Sequence, residues 1–355
     1  MDALYFPIFR SRQQEFLVLK SFDFGPKIVP IIEVIKEKDR INNAKTSAEI
    51  FTDLINEINA GNVLLDLPTY LRPTTSTMKE AIKFYRMVIS DLSARISFYS
   101  EFESIADKTI PVISSLLNIT GETRTVFTQS EDLKPKFPTL AYRIYFNHFK
   151  ETINEFSSDI IRDDDIILFD LDSIPITNPI ITKYSNMLHT SFPNNNCALI
   201  RSAIGTDISN IKLVHDDVIG EADNSLLSFY KRNYKFNSFG DYVGIKKDEL
   251  PAGGGISPGF VFYDPIDNIF YGYKGDIKKL SEFEDRIVPD LFASSVYRNL
   301  ESNEINFLSD NPGIMTLKRI ENNEESGKSQ AKFKKISMEH YLHCMKVMIE
   351  KGSIN

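Results

Sequence analysis

The sequence predicts an α/β protein, a (β/α)8 TIM-like barrel followed by a C-terminal α+β extension. Eight short apolar runs alternate with helix-like segments between residues 4 and 246, and this alternation is typical of repeated βα units. A doubly wound open sheet gives the same alternation. Eight strands favour closure, however, because open sheets of that kind usually have about five or six strands. No G-x-G-x-x-G motif follows the early strands, which weighs further against a dinucleotide-binding sheet.

The predicted strands are nearly continuous in apolar residues, as expected of parallel strands covered on both faces. They span residues 4–10, 27–35, 62–67, 109–116, 140–146, 166–171, 197–204 and 239–245. Helices are predicted between them at residues 13–21, 42–59, 76–98, 150–156, 177–189 and 226–230. The segment 76–98 has the clearest helical period, with apolar residues at steps of three and four.

The chain changes character near Pro251, where Pro-Ala-Gly-Gly-Gly predicts a turn or linker. We therefore expect a barrel over residues 1–250 and an extension over residues 251–355 that packs on it. An aromatic hairpin is predicted at 257–264 and 268–274, followed by a helical region at 276–300. A polar loop at 321–330 and a final helix at 336–351 complete the extension, and the apolar stripe of that helix predicts docking on the barrel or the hairpin.

Composition narrows the class of protein. The 355 residues carry a net charge of −8, which does not suit a general nucleic-acid coat, and the basic segment 328–335 is too short to indicate one. No window approaches about 18 uninterrupted apolar residues, so no membrane span is expected. Two cysteines without a C-x-x-C motif exclude a thiolate zinc site of the usual spacing. With no visible signal peptide, they indicate a reduced, cytoplasmic chain.

Polar residues interrupt the ends of the apolar runs, which is where function gathers in a barrel. They are Glu33, Asp66, Ser114, Asp170, Asp172, Arg201 and Asp241. We predict that Glu33, Asp66, Asp170, Arg201 and Asp241 face one cavity. The catalytic candidates are the four carboxylates, as acid, base or ligands of a hard cation, and Arg201 would hold an anion. The alternative is that each carboxylate is paired separately or caps the following helix. Whether a metal is bound stays open.

Two histidines share one face of the final helix. His340 and His343 lie three residues apart. That spacing could hold a metal or a phosphate, but the pair alone is a weak signal and a structural or surface role is favoured over it. No G-x-S-x-G motif is present, so no Ser-His-Asp triad is proposed.

Several short motifs resemble the phage beta protein family. They are Tyr5-Phe6-Pro7-Ile8-Phe9-Arg10, Gln14-Glu15, Ile28-Val29-Pro30-Ile31-Ile32-Glu33, Gly240-Asp241-Tyr242, and Lys332 to Ser337 followed by His340. The chain departs from the family pattern at Phe333, where a Trp is usual, and at Tyr341, where a second histidine is common. The resemblance implies a barrel-like fold and an association with phage and prophage defence or exclusion loci, without an established reaction. It adds Arg10, Tyr242 and His340 as ligand-binding candidates beside Arg201.

Two functions follow as hypotheses. The first is a barrel in phage defence that acts on or senses a phosphate-bearing or nucleotide ligand at the strand-end mouth, with His340 reaching that mouth. The second is a non-catalytic scaffold of a multi-protein antiviral complex, in which the aromatic hairpin docks another defence protein. Enzymatic activity and cofactors stay open at this point.

Overall fold

Eight parallel strands form a closed barrel in a computed structural model that describes residues 2–37, 45–75, 77–205, 208–222, 236–247 and 258–353. In chain order they are Tyr5–Arg10, Ile31–Glu33, Val63–Asp66, Thr109–Ile113, Ala141–Tyr145, Ile166–Asp170, Asn196–Ile200 and Ser238–Asp241, here called the first to eighth barrel strands. Each strand pairs with its neighbour in sequence, and the eighth closes the ring on the first through the pair Tyr5 and Phe239. The predicted barrel is confirmed.

Strand alternation separates two apolar cores. One face of each strand fills the barrel interior with residues such as Phe6, Leu64 and Leu168, and the other face packs under the helices. Gly240 lies on the inward face, where a Cβ atom would stand 2.4 Å from the Ile200 side chain and 2.6 Å from a backbone oxygen. Because successive side chains of a strand point to opposite faces, only every second residue points into the barrel, and this decides which polar residues reach its mouth.

The described helices around the barrel are mostly those predicted. They are Gln13–Ser21, Ser47–Glu57, Lys79–Ser90, Leu92–Ser100, Leu117–Thr120, Thr125–Leu133, Phe149–Thr152 and Pro179–Ser191. The predicted helix 76–98 is in fact two helices. Asp91 leaves the helical conformation (φ −128°) and its carboxylate caps the second helix by accepting the N–H of Ala94. Both helices pack on the same core, so the apolar period runs through the break. The predicted helix 226–230 and the turn near Pro251 lie outside the described residues.

The extension contains a three-stranded sheet. The predicted aromatic hairpin is present as Gly259–Asp264 and Ile269–Lys274, and a third strand, Asp217–Glu221, joins it from between the seventh and eighth barrel strands. This sheet draws on both sides of the boundary expected near residue 250. Two further short strands, Asp23–Gly25 and Asn59–Ala60, pair beside the barrel.

Helices complete the extension. They are Phe283–Ile287 (a π-helical turn), Val288–Ala293, Ser295–Ser302, Pro312–Glu321 and Gln330–Glu350. The last, here called the C-terminal helix, begins six residues before the predicted start at residue 336, because the Ser329 side chain caps it by accepting the N–H of Lys332.

Side chains of the C-terminal helix cover one edge of the small sheet. Gln330 bonds both the N–H and the carbonyl of Gly259, and the Ser337 hydroxyl donates to the Val261 carbonyl at 2.7 Å. His340 Nε2 lies 2.8 Å from the Tyr263 carbonyl. An uncovered strand edge is a template for unwanted pairing, so these contacts both dock the helix and protect the sheet.

Candidate functional site

Arg143 stands at the centre of the barrel mouth. It lies in the fifth barrel strand, 1% exposed, and its guanidinium donates to Asp170 through Nε (3.0 Å) and Nη2 (2.6 Å). Nη1 donates to Glu33 at 2.8 Å and to Asp66, and Nη2 also donates to the Tyr242 hydroxyl at 3.1 Å. A guanidinium has five N–H donors, so this network uses all of them.

Glu33 collects further partners at the end of the second strand. Its carboxylate accepts the hydroxyls of Tyr70 (2.8 Å) and Tyr242 (3.2 Å), and Arg10 Nε lies 3.4 Å away. Burial alone would raise the pKa of Glu33, but the charges of Arg143 and Arg10 outweigh it and hold the pKa below its ordinary value.

The pKa of Asp66 shifts in the opposite direction. Burial, with the nearby charge of Glu33, raises the pKa of Asp66 from its ordinary value of 3.8 to about 6 despite the contact with Arg143. Its second oxygen, Oδ1, has no hydrogen-bond partner among the described residues. The pKa of Asp170 is lowered, because Lys247 and Arg143 outweigh the effect of burial. One cluster therefore holds two carboxylates that stay ionised and one that titrates near neutrality.

A cavity of about 170 Å³ opens on this cluster. Its wall is formed by Thr69, Tyr70, Arg72, Ser115, Asn118, Ile119, Arg143, Tyr145, Asn147, His148, Thr152, Phe156, Asp170, Asp172 and Lys247. Glu33 and Asp66 are not part of this wall and connect to the cavity through Arg143. A ligand in the cavity therefore meets Asp170, Arg143 and Tyr145 of the barrel strands, together with residues of the loops and helices that follow the strands.

Two cations on the wall keep unused donors. Lys247 Nζ lies 2.8 Å from Asp172, 4.0 Å from Asp170 and 3.8 Å from the centre of the Tyr70 ring. An ammonium has three donors, and the contact with Asp172 uses one. Arg72 Nη1 contacts the carbonyl oxygens of Thr69 and Leu71, while its Nε and Nη2 have no partner among the residues that the structure describes. The cavity can therefore offer hydrogen bonds and positive charge to an anion.

Five of the predicted site residues come together. Glu33, Asp66 and Asp170 surround Arg143, and two of the residues suggested by the family pattern join them. Tyr242 bridges Arg143 and Glu33, and Arg10 donates to the Tyr70 hydroxyl at 3.0 Å. Their roles in binding or catalysis stay predictions.

The prediction that Asp241 faces the cavity is wrong. Gly240 and Tyr242 point inward. Because side chains alternate along a strand, Asp241 between them points to the outside of the barrel. There it accepts the hydroxyls of Tyr5 (2.6 Å) and Tyr341.

The prediction that Arg201 faces the cavity is wrong for the same reason. It follows the inward-facing Ile200, points outward and donates to the carbonyl of Ile174 at 2.9 Å. Ser114, in contrast, lies in the strand-end region but is buried, and its hydroxyl has no partner among the described residues.

His340 does not reach the mouth. Its ring is fully buried in the extension, stacked 4.4 Å from the Phe262 ring, with Nδ1 2.9 Å from the Asn311 amide and Nε2 on the Tyr263 carbonyl. Burial lowers the pKa of His340 from 6.5 to about 4. The alternative that both histidines face solvent is wrong for His340, which is buried, whereas His343 is partly exposed.

Sequence reasoning missed Arg143, the centre of the cluster. The predicted site residues lie at the ends of apolar runs, whereas Arg143 lies in the middle of one, two residues from each of Ala141 and Tyr145. A charge on an inward strand position requires partners, so alternation could have found it. Lys247, Tyr70 and Arg72 lie in loops, where no periodic pattern marks them.

The basic segment 328–335 has its charges neutralised within the chain. Its ion pairs are Lys328 with Glu284 (3.3 Å), Lys332 with Glu325 (2.8 Å), Lys334 with Glu15 (3.4 Å), and Lys335 with Glu339. These lysines serve internal contacts.

Across residues 2–353, apart from the gaps given above, no group of three or more His, Cys, Asp or Glu side chains is arranged to hold a metal ion. In the same residues, no helix combines the length and apolar character that crossing a membrane requires.

The model of a family described as Beta protein matches residues 5–346. No curated protein matches the chain.

Proposed function

The chain belongs to the Beta protein family, the phage-associated family that its sequence resembles, and from that premise we propose that it is a barrel that binds a small phosphate-bearing ligand at its mouth. The observation that carries this proposal is the cavity in which Lys247 and Arg72 keep unused donors beside the closed network of Arg143.

Two cations of the mouth have hydrogen-bond donors that an anion can use. Arg143 is fully engaged, so it fixes the floor of the cavity and leaves ligand contact to the other cations. Lys247 can bind a phosphate as a point charge, and Arg72 can present two nitrogen atoms to it. Asn118, Asn147 and His148 add further polar groups to the same wall.

The size of the cavity limits what fits. About 170 Å³ is less than the roughly 300–1,000 Å³ of pockets that enclose drug-sized ligands. A phosphate group with an adjoining sugar or polyol suits this space, and Asp170 and Asp172 can accept hydrogen bonds from its hydroxyl groups. A nucleotide would leave its base outside the cavity.

Binding is better supported than acid–base catalysis. Asp66 has a pKa near neutrality, but it is not part of the cavity wall. Asp170 lines the cavity, but it accepts two donors of Arg143 and the N–H of Asp172, and its pKa is lowered. A carboxylate held in this way is a weak base.

We place this binding activity in phage or prophage defence, as a sensor, on the strength of the family association. The second hypothesis, docking of a defence partner through the aromatic hairpin, has less support. Most rings of the hairpin are buried within the chain, namely Phe260, Phe262, Tyr263, Phe270 and Tyr273, and a buried ring cannot anchor a partner.

Titration calorimetry with inorganic phosphate and ribonucleoside monophosphates tests the binding proposal. Lys247→Met and Arg72→Met should each weaken binding by about tenfold or more, the effect of losing one charged hydrogen bond. Lys279→Met and Arg298→Met are the matched controls, since both residues are exposed, and they should bind as the wild type does. Absence of binding by every compound, or unchanged affinity in Lys247→Met, would contradict the proposal.

A further inference from the structure

We propose that Tyr341 of the C-terminal helix is a positioning residue for the barrel mouth, because it fixes the turn that carries Tyr242 and Lys247. The turn, residues 242–247, follows the eighth barrel strand, which ends at Asp241. The importance of Lys247 for a ligand rests on the proposed function, whereas the positioning of the turn can be measured without any ligand.

The first contact is with Asp241. This carboxylate is 3% exposed and accepts three hydrogen bonds, from the hydroxyls of Tyr5 and Tyr341 and from the N–H of Val243 at 2.9 Å. Tyr5 belongs to the barrel and Tyr341 to the extension. Asp241 therefore joins the two parts of the chain at the start of the turn.

The second contact is with the backbone at Val243 and Gly244, where both φ angles are positive. Val243 has a φ of 56°, a conformation that a β-branched residue rarely adopts, and Gly244 follows with a φ of 66°. A Cβ atom on Gly244 would lie 2.8 Å from Cβ and Cγ of Tyr341. The ring of Tyr341 thus packs directly on the backbone, and the surrounding contacts must hold Val243 in its strained state.

The two sides of the turn are linked through adjacent residues. Asp241 faces outward to Tyr341, and the next residue, Tyr242, faces inward to Arg143 (3.1 Å) and Glu33 (3.2 Å). The turn closes through the N–H of Ile245 on the Tyr242 carbonyl at 3.1 Å. Lys247 comes two residues later, and only 4% of its surface is exposed. If the hydrogen bond from Tyr341 to Asp241 is lost, both Tyr242 and Lys247 should therefore become less firmly held at the mouth.

Acetylation of lysines in the folded protein, measured by mass spectrometry, tests this role. In the wild type Lys247 should react slowly, because its ammonium is buried. Tyr341→Phe keeps the ring but removes the bond to Asp241, and it should raise the labelling rate of Lys247 by roughly tenfold through local opening. Exposed Lys279 is the internal standard and should not change.

Tyr263→Phe is the matched control. It removes a tyrosine hydroxyl from the same extension, one that donates to Asn268 at 2.8 Å, and it should leave Lys247 protected. If Tyr341→Phe does not fold, Asp241→Asn replaces it, with the same increase expected. Equal Lys247 labelling in the wild type and the folded Tyr341→Phe or Asp241→Asn variant, or an equal rise in Tyr263→Phe, would overturn the inference. The proteins are dialysed free of bound ligand before labelling, so the result does not depend on phosphate binding, and this test and the calorimetry can fail separately.

Discussion

At the scale of single residues, the site is decided by how burial and neighbouring charge are balanced around Arg143. Glu33 and Asp66 contact the same nitrogen atom of that guanidinium. Glu33 also has Arg10 and two tyrosine hydroxyls, and its pKa is lowered. Asp66 lacks such additional contacts among the described residues, and its pKa is raised to about 6. Two carboxylates in equal burial therefore differ in protonation because of their remaining partners.

Asp66→Asn should change how stability depends on pH. The pKa of Asp66 in the folded protein is above its ordinary value of 3.8, so its ionisation destabilises the fold as pH rises from about 4 to 6. The variant removes this effect. Relative to the wild type, its free energy of unfolding should increase by about 3 kcal/mol between pH 4 and pH 7, at about 1.4 kcal/mol per pKa unit. Urea unfolding at several pH values measures the difference.

Glu33→Gln is the control for that experiment. The pKa of Glu33 is lowered in the folded protein, so this carboxylate stabilises the fold above its unfolded pKa and that contribution is lost on acidification. The variant should be destabilised at pH 7 by about 3–5 kcal/mol, as when one partner of a buried ion pair is removed. Parallel pH curves for wild type and Asp66→Asn would show that Asp66 does not titrate near neutrality.

At the scale of elements, the C-terminal helix does more than its apolar stripe predicts. The sequence indicates a helix with Tyr341, Met345 and Met348 on one face, and those residues are buried. The sequence did not predict which groups the polar residues of this helix contact. Ser337 and His340 complete the hydrogen bonds of a strand edge, and nothing in a helical period marks such contacts. Docking of this helix is what brings Tyr341 to Asp241.

His340→Ala should destabilise the extension without affecting the mouth. The variant loses the ring stacked on Phe262 and leaves the buried Asn311 amide and Tyr263 carbonyl without that partner, at a cost of about 2–4 kcal/mol. Phosphate affinity measured by calorimetry should stay that of the wild type. A loss of affinity in folded His340→Ala, with the acetylation rate of Lys247 unchanged, would return the histidine to the site.

The pH dependence of that variant gives a second measurement. The pKa of His340 is about 4 in the folded protein against 6.5 ordinarily, so neutral His340 contributes stability above pH 6.5 that is lost as pH falls towards 4. The loss amounts to about 3 kcal/mol in the wild type. The stability of His340→Ala should lack this part of the acid dependence, and an unchanged acid slope would contradict the assignment.

At the scale of the whole molecule, the barrel was predictable and the site was predictable in part. Eight alternating runs give the number and order of strands, because parallel barrel strands pair in sequence. The mouth follows from the same topology, which is why Glu33, Asp66 and Asp170 meet. The alternation of side chains along a strand places Asp241 and Arg201 on the outer face instead. Loop residues such as Lys247 depend on the folded path of the chain and could not be placed from the sequence.

The extension and the barrel are held together by contacts that the sequence does not reveal. Besides Tyr341 and Asp241, the C-terminal helix reaches the barrel region through Lys346 with Asp23 (2.7 Å) and Lys334 with Glu15 (3.4 Å). The family match spans residues 5–346 and so includes both parts. We therefore interpret the mouth and the extension as one functional unit.

The central claim is that the barrel mouth binds a phosphate-bearing ligand through Lys247. Native mass spectrometry of the protein purified from cells, without added ligand, tests it most directly. The wild type and Lys279→Met should carry a small bound species that releases phosphate on fragmentation, and Lys247→Met should lack it. A wild-type protein without any bound species, or a species retained equally by Lys247→Met, would contradict the account.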